Sequence, residues 1–150
     1  MSKPSSSSGV QVPPNCDLTL GIICIDKSSA GTSVWRMKCD ERFANPIGII
    51  QGGFISAMAD SAMGACSVSF AQKDGKKVIS ANAEMKISFF KPARVGSTLT
   101  CTAQVVSGGS RVTFLEATVE DDNNTIIAKA TSTYIITPRK PDESQDPKLR

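Results

Sequence analysis

Histidine is absent from this chain of 150 residues. Its absence excludes Ser-His-Asp and Cys-His nucleophile systems, histidine-ligated metal ions and histidine-dependent dehydratases within one chain. Any reaction that the protein catalyses must therefore use carboxylates, amides, hydroxyls and backbone N–H groups.

The sequence also has little net charge and no long apolar run. Its formal net charge of +3 comes partly from the two ends, which is too small and too dispersed an excess to indicate nucleic acid binding. No apolar run reaches the roughly 18 residues of a membrane span, and the N-terminal residues lack the hydrophobic core of a signal peptide. We therefore expect a cytoplasmic protein that binds neither nucleic acid nor membranes.

The cysteines are odd in number and form no Cys-x-x-Cys pair. Most of them lie within apolar patterns, which is typical of reduced core residues rather than of a disulfide framework or a zinc site. We expect no metal site. The five cysteines are Cys16, Cys24, Cys39, Cys66 and Cys101.

Composition divides the chain into three parts. Residues 1–15 are rich in serine and proline, and residues 138–150 are charged and interrupted by prolines, so both ends are predicted to be disordered. Residues 16–137 form the single predicted domain, because a chain of this length buries about 70% of its unfolded surface in one core.

A proline-free stretch at residues 54–70 places apolar side chains nearly all the way round a helix, which predicts a buried helix. Asp60 is the only charge in it, on a face otherwise made of small residues. A buried carboxylate is costly unless it is paired or hydrogen-bonded. The helix alone leaves two interpretations open: a functional carboxylate, or one that satisfies neighbouring backbone or reaches solvent at a subunit surface.

Extended segments flank this helix on both sides. Two segments precede it and are predicted to form a hairpin, and four follow it, separated by turn residues. The apolar segment 18–25 is predicted to contain the first strand at residues 21–25, entered through a short helical turn. The other five segments are residues 32–40, 79–89, 97–107, 111–120 and 125–137. Because no further helix is available to cover a second face, the pattern predicts an α+β fold in which one antiparallel sheet wraps around one long central helix.

The segment 79–89 alternates strictly between apolar and polar residues. A strand with this period is predicted to turn Ile79, Ala81 and Met85 toward one face and Asn82 and Glu84 toward the other.

The sequence resembles the hot-dog fold thioesterases, in particular the phenylacetate-degradation enzymes, the 4-hydroxybenzoyl-CoA thioesterases and the mammalian thioesterase superfamily members. The resemblance covers about residues 16–137. That family has an Asn, a Gly, a His-Gly-Gly that opens the helix, and an acid seven residues beyond the last Gly. The matching residues here are Asn45, Gly48, Gln51-Gly52-Gly53 and Asp60, and Pro92 and Gly96 match a further Pro and Gly between strands.

The resemblance implies hydrolysis of an acyl-CoA thioester to CoA and a carboxylic acid, with no metal and with coenzyme A only as part of the substrate. The Gly52 N–H, at the positive end of the helix, would stabilise the oxyanion. Asp60 would act as the general base that activates water or as a nucleophile. Asn45 would orient the reacting groups through its amide, and Gln51 replaces the usual histidine, so any electrophilic help is weakened.

The resemblance also implies a shared site. Asn82 would lie on a strand that pairs with its copy, so that each site combines Asp60 of one chain with Asn82 of another. A homodimer would be the minimum active unit and a homotetramer the expected assembly. The implied substrate-binding residues are Gly53, Asn82, Glu84, Met85, Lys91 and Arg94.

Two other functions are compatible with the same residues. One is a non-catalytic acyl-CoA or lipid-binding module in which Gln51 marks lost activity, and the other is a structural subunit of a larger assembly. Hydrolysis ranks first, because a binding module has no need of a buried carboxylate.

Overall fold

The computed structural model describes residues 13–139. Its helices are α1 (Asn15–Leu20) and α2 (Gly52–Ala71), and a 3-10 turn at Glu41–Phe43 precedes α2. Its strands are β1 (Ile22–Asp26), β2 (Thr32–Lys38), β3 (Val78–Phe89), β4 (Thr98–Gly108), β5 (Val112–Glu120) and β6 (Ile126–Pro138). Most of the two ends predicted to be disordered lies outside the described residues, so that prediction is not tested.

The six strands form one antiparallel sheet in the order β1-β2-β4-β5-β6-β3. The predicted hairpin of β1 and β2 is confirmed. The Gly109 N–H donates to the Val112 carbonyl at 2.9 Å and closes the β4–β5 hairpin. In the described part of the chain β3 pairs only with β6, so β3 is an edge strand that leaves one row of backbone groups unpaired.

Helix α2 lies across the sheet and contacts five of its strands. Its inward side chains, such as Ile55, Met58 and Met63, are almost completely buried. They meet Met37 and Leu99 from the sheet, and each buried side chain of this size contributes about 1.5–3 kcal/mol. This arrangement confirms the predicted hot-dog fold. By length and composition α2 would also suffice to cross a membrane, but packing against the sheet accounts for its apolar character.

Strand β3 departs from the predicted alternation. A β-bulge between Asn82 and Glu84 shifts the register against β6. Even-numbered residues therefore face the helix before the bulge, and odd-numbered residues face it beyond the bulge. Met85 is partly buried against the core, as predicted, whereas Ile79 is 45% exposed. The prediction of one unbroken alternation, with Asn82 and Glu84 on the same face, is therefore wrong, because the bulge puts Asn82 on the helix side and Glu84 on the outer side.

The cysteines occupy the positions that their apolar contexts predicted. Cys39, Cys66 and Cys101 are buried, Cys24 is half-buried and Cys16 is exposed. Burial raises the pKa of the Cys101 thiol to about 12, and it also raises the pKa of the Cys39 and Cys66 thiols. These thiols are core side chains that stay protonated.

Candidate active site

The Asp60 carboxylate receives hydrogen bonds from two side chains that belong to different strands. The Asn82 Nδ2 atom donates to Oδ1 at 2.7 Å, and the Tyr134 hydroxyl donates to the same oxygen. The Tyr134 hydroxyl also lies 2.8 Å from the Asp60 main-chain oxygen. No residue within 13–139 hydrogen-bonds to the other carboxylate oxygen, Oδ2, so this oxygen is available to a water molecule or a substrate.

Tyr134 comes from an inward-facing position of β6 and is only 3% exposed. Its ring lies over Gly64, where a Cβ atom would be 3.5 Å from the ring atom Cε1. Burial, and then the hydrogen bond to Asp60, raise the pKa of Tyr134 well above its usual range. The hydroxyl therefore remains protonated and acts as a donor. Sequence reasoning missed this residue, although it is the only tyrosine in the chain.

The β3 bulge brings Asn82 to the helix, and Ser132 fixes its amide. The Ser132 hydroxyl lies 2.8 Å from the Asn82 Oδ1 atom and 2.6 Å from the Glu84 carbonyl oxygen. With Oδ1 accepting from Ser132, the amide nitrogen points to Asp60. The sequence predicted that Asn82 would contact Asp60 of a second chain, but in the structure the pair forms within one chain.

The start of α2 presents backbone donors. Gly52 and Gly53 are its first two residues, and no acceptor within residues 13–139 receives their N–H hydrogen bonds. The helix dipole adds partial positive charge at this end. The two glycines differ in surroundings: a Cβ atom on Gly52 would lie 2.8 Å from Phe89 Cζ, whereas a Cβ atom on Gly53 would meet nothing within 4 Å.

The Gly52 N–H and the Asp60 carboxylate are well separated within one chain. Eight positions of α-helix correspond to about 12 Å along the axis. An oxyanion donor must lie about 3 Å from the developing charge, and the attacking group must be equally close to the same carbon. One thioester therefore cannot use both groups of a single chain.

Gln51 and Asn45 precede the helix. Gln51 is the exposed N-cap residue, and its side chain makes no capping bond. The Asn45 Oδ1 atom accepts from the N–H groups of Ile47 and Ile49, each at 3.1 Å. These bonds close a loop in which Gly48 has φ +77°, a conformation that favours glycine. Asn45 thus shapes the loop and does not contact Asp60 in this structure.

A groove of about 480 Å³ begins at Gly52 and runs past Phe89, Phe90 and Lys91. Arg94 lies beside it, bridged to Ile49 through the backbone. The groove therefore brings Gly52 together with exposed aromatic and cationic side chains. A larger cavity of about 880 Å³, near Phe70 at the other end of α2, contains none of the predicted site residues.

Glu84 and Met85 lie on β3 beyond the bulge and do not contact Asp60. Glu84 faces outward, where its Oε1 atom accepts from the Thr133 hydroxyl at 2.7 Å. Met85 packs partly buried against the core. Their substrate-binding role stays a prediction.

Comparison with known proteins identifies the family. The thioesterase superfamily model matches residues 47–128, which is more than half of the chain. A Saccharolobus solfataricus protein, provisionally named an esterase, is 30% identical over 74% of this chain and 71% of its own length. The human acyl-coenzyme A thioesterase 13 is 25% identical over 67% of this chain and 69% of its own length.

Solved structures support the same fold. The Escherichia coli PaaI protein, from a phenylacetic acid degradation operon, matches with a TM-score of 0.76 at 22% identity, covering 86% of this chain and 87% of that protein. A Streptococcus mutans protein bound to acetyl CoA matches with a TM-score of 0.72 at 21% identity, covering 87% and 95%. The family match, the helix-bound carboxylate and the wrapped sheet together establish that this chain belongs to the thioesterase superfamily and is a thioester hydrolase.

Proposed function

We propose that the protein hydrolyses acyl-CoA thioesters to coenzyme A and a carboxylic acid. The observation that carries the proposal is the Asp60 carboxylate: the only charge in α2, held at Oδ1 by two donors and open at Oδ2. The human relative's name and the acetyl CoA bound to the Streptococcus mutans protein support coenzyme A as the carrier. Coenzyme A enters as part of the substrate, and the proposed reaction uses no metal or separate cofactor.

The proposed reaction needs one base and one oxyanion donor. Asp60 removes a proton from water, the water oxygen bonds to the thioester carbon, and the Gly52 N–H stabilises the resulting oxyanion. Collapse of this intermediate breaks the C–S bond, and the leaving thiolate takes the proton from Asp60. Alternatively, Asp60 attacks the carbon itself and forms a mixed anhydride that water then hydrolyses. A single turnover in ¹⁸O-labelled water tests the second route, because label enters Asp60 only when water attacks the Asp60 carbonyl of the anhydride.

The proposed reaction centre lies between two chains. The distance of about 12 Å between Gly52 and Asp60 along one helix requires that a second chain supply one of them. The unpaired edge of β3 supports a homodimer in which β3 pairs antiparallel with its copy. The two copies of α2 would then run in opposite directions, so that the start of one helix approaches the middle of the other. Pairing of two such dimers would give a homotetramer.

We further propose that the groove at Gly52 receives the substrate. Phe89 and Phe90 would contact its apolar parts, and Lys91 and Arg94 would bind the phosphates of coenzyme A. Gln51 would donate a hydrogen bond to the thioester carbonyl. This donor is weaker than a protonated histidine, because an amide carries no charge.

The first experiment is a thiol-release assay on short, long and aryl acyl-CoAs. Asp60→Asn keeps the size of the side chain and removes the base, so the rate should fall by about 10²- to 10⁴-fold. Asp17→Asn is a matched control, because Asp17 is a buried carboxylate that accepts from Ser61, the next residue on α2, at 2.9 Å. Equal rates for Asp60→Asn and the wild type would refute the proposal, as would binding without thiol release across the panel.

A second experiment tests the shared site. Gly52→Pro removes the N–H at the first helical position, where the fixed φ of proline suits a helix. Its ring also meets Phe89, so circular dichroism first establishes that the variant folds. Mixing this chain with the Asp60→Asn chain should restore about a quarter of the wild-type activity, because each mixed dimer has one intact site. Two inactive variants that stay inactive after verified subunit exchange would show that no site is shared.

A further inference from the structure

We infer that Tyr134 is a positioning residue that fixes the Asp60 carboxylate through Oδ1 and so makes Oδ2 the reacting oxygen. This inference rests on the proposed function, since it assigns a role within that reaction. Its basis is the asymmetry of the carboxylate, in which two donors hydrogen-bond to one oxygen and no described residue hydrogen-bonds to the other.

The tyrosine hydroxyl is fixed from two sides. Its ring is buried against Gly64, so the oxygen has little freedom to move. The hydroxyl lies within hydrogen-bonding distance of both the Asp60 carboxylate and the Asp60 main-chain oxygen. A hydroxyl has one proton, and an ionised carboxylate is the stronger acceptor. Tyr134 therefore donates to the Asp60 side chain and selects one side-chain rotamer.

Asn82 completes the arrangement from the opposite strand. Its Nδ2 atom, which donates to Asp60, also lies 3.4 Å from the Tyr134 hydroxyl oxygen, and the Ser132 hydroxyl lies 2.8 Å from its Oδ1 atom. The chain Ser132–Asn82–Asp60–Tyr134 thus fixes the carboxylate without occupying Oδ2. A residue that only filled the core would not need a hydroxyl at this point, because phenylalanine fills the same volume.

The test compares Tyr134→Phe with a variant that loses another buried strand hydroxyl, one that also bonds to α2. Tyr134→Phe should lower kcat on acyl-CoA by about 10- to 100-fold and leave KM unchanged, the effect of losing one hydrogen bond to a charged group. The control is Thr113→Val, because the Thr113 hydroxyl is fully buried and bonds to Ser67 of α2 at 2.8 Å. This control should lower the melting temperature and leave kcat unchanged.

A second variant keeps the proposal falsifiable if Tyr134→Phe does not fold. Ser132→Ala retains the tyrosine and releases the Asn82 amide, so kcat should fall severalfold, again without a change in KM. The inference is overturned if folded Tyr134→Phe keeps a kcat within twofold of the wild type, or if KM rises while kcat stays constant. A wild-type protein that hydrolyses no acyl-CoA would instead refute the proposed function, so the two failures are distinguishable.

Discussion

The Phe89 ring occupies the position in which a side chain at Gly52 would lie, with 2.8 Å between the virtual Cβ atom and Cζ. The next residue, Gly53, has open space at the same place. Two adjacent glycines therefore have different reasons to lack a side chain. Gly52 lets an aromatic ring from β3 pack over the start of α2, and Gly53 leaves the surface there open.

Alanine substitutions should separate these two roles. Gly53→Ala should raise the free energy of unfolding by up to about 1 kcal/mol, because alanine favours the helix. Gly52→Ala should stabilise less than Gly53→Ala, or lower the free energy of unfolding by up to about 1 kcal/mol, because the half-exposed Phe89 ring must swing aside. Urea denaturation measures both. Adding Phe89→Ala to Gly52→Ala should remove the clash. If the two substitutions change the free energy of unfolding additively, the contact between Phe89 and a side chain at position 52 is contradicted.

Asn45 offers a second comparison. Asn45→Ala should lower the free energy of unfolding by about 1–2 kcal/mol, because two loop N–H groups lose their acceptor. Asn45→Asp keeps the acceptor and should retain stability. If the Asn45 amide also donates to the reacting groups, Asn45→Asp should lose kcat while remaining stable. Thermal melting and thiol release on both variants decide this, and an active Asn45→Asp enzyme would limit Asn45 to shaping the loop.

The strands and the central helix were predictable from sequence because each has one apolar face turned toward the same core. Their side-chain periods, two for strands and 3.6 for the helix, are local properties of the chain. The bulge in β3 was not predictable, because Ala83 fits the alternating pattern equally well with or without an inserted residue. Only pairing with β6 reveals the shift of register.

The candidate site was predictable in part. Asp60 stood out as a lone charge in an apolar helix, and the family resemblance assigned its role. Tyr134 was missed because its partner Asp60 lies 74 positions away, and nothing local marks an inward tyrosine as a hydrogen-bond donor. The separation of Gly52 and Asp60 follows from helix geometry alone, and it could have been stated before the structure was known.

Alkaline solution should destabilise the protein. Burial keeps the pKa of the Cys101 thiol at about 12 in the folded chain, whereas the ordinary pKa of an exposed thiol is 9.0. Between these values the unfolded chain loses a proton that the folded chain keeps, so the free energy of unfolding falls as pH rises. Below pH 9 the contribution of Cys101 to this free energy is complete. The raised pKa of Tyr134 acts in the same direction at higher pH.

Melting temperatures measured from pH 7 to 11 should decline more steeply for the wild type than for Cys101→Ala. Each proton that only the folded chain retains lowers the free energy of unfolding by about 1.4 kcal/mol per pH unit. Cys16→Ala is the control, because Cys16 is exposed. Parallel pH dependence in the wild type and Cys101→Ala would contradict the prediction.

Thiol labelling should report the same burial. In the folded protein at pH 8, Cys16 should react promptly with an alkylating reagent, because reactivity requires an accessible thiolate. Cys39, Cys66 and Cys101 should react only after unfolding. Mass spectrometry of the labelled peptides measures the order, and early labelling of Cys101 in the folded state would disprove the predicted protection.

The phase change in β3 has a practical consequence for protein engineering. Before the bulge, even-numbered residues such as Ser80 and Asn82 face the helix, whereas beyond it odd-numbered residues such as Met85 and Ile87 do so. A library that randomises every second residue of this strand would therefore vary residues that face the helix in one half and residues that face away from it in the other. Deleting Ala83 would remove the bulge and restore regular alternation along β3, with Asn82 still opposite Tyr134 on the helix side.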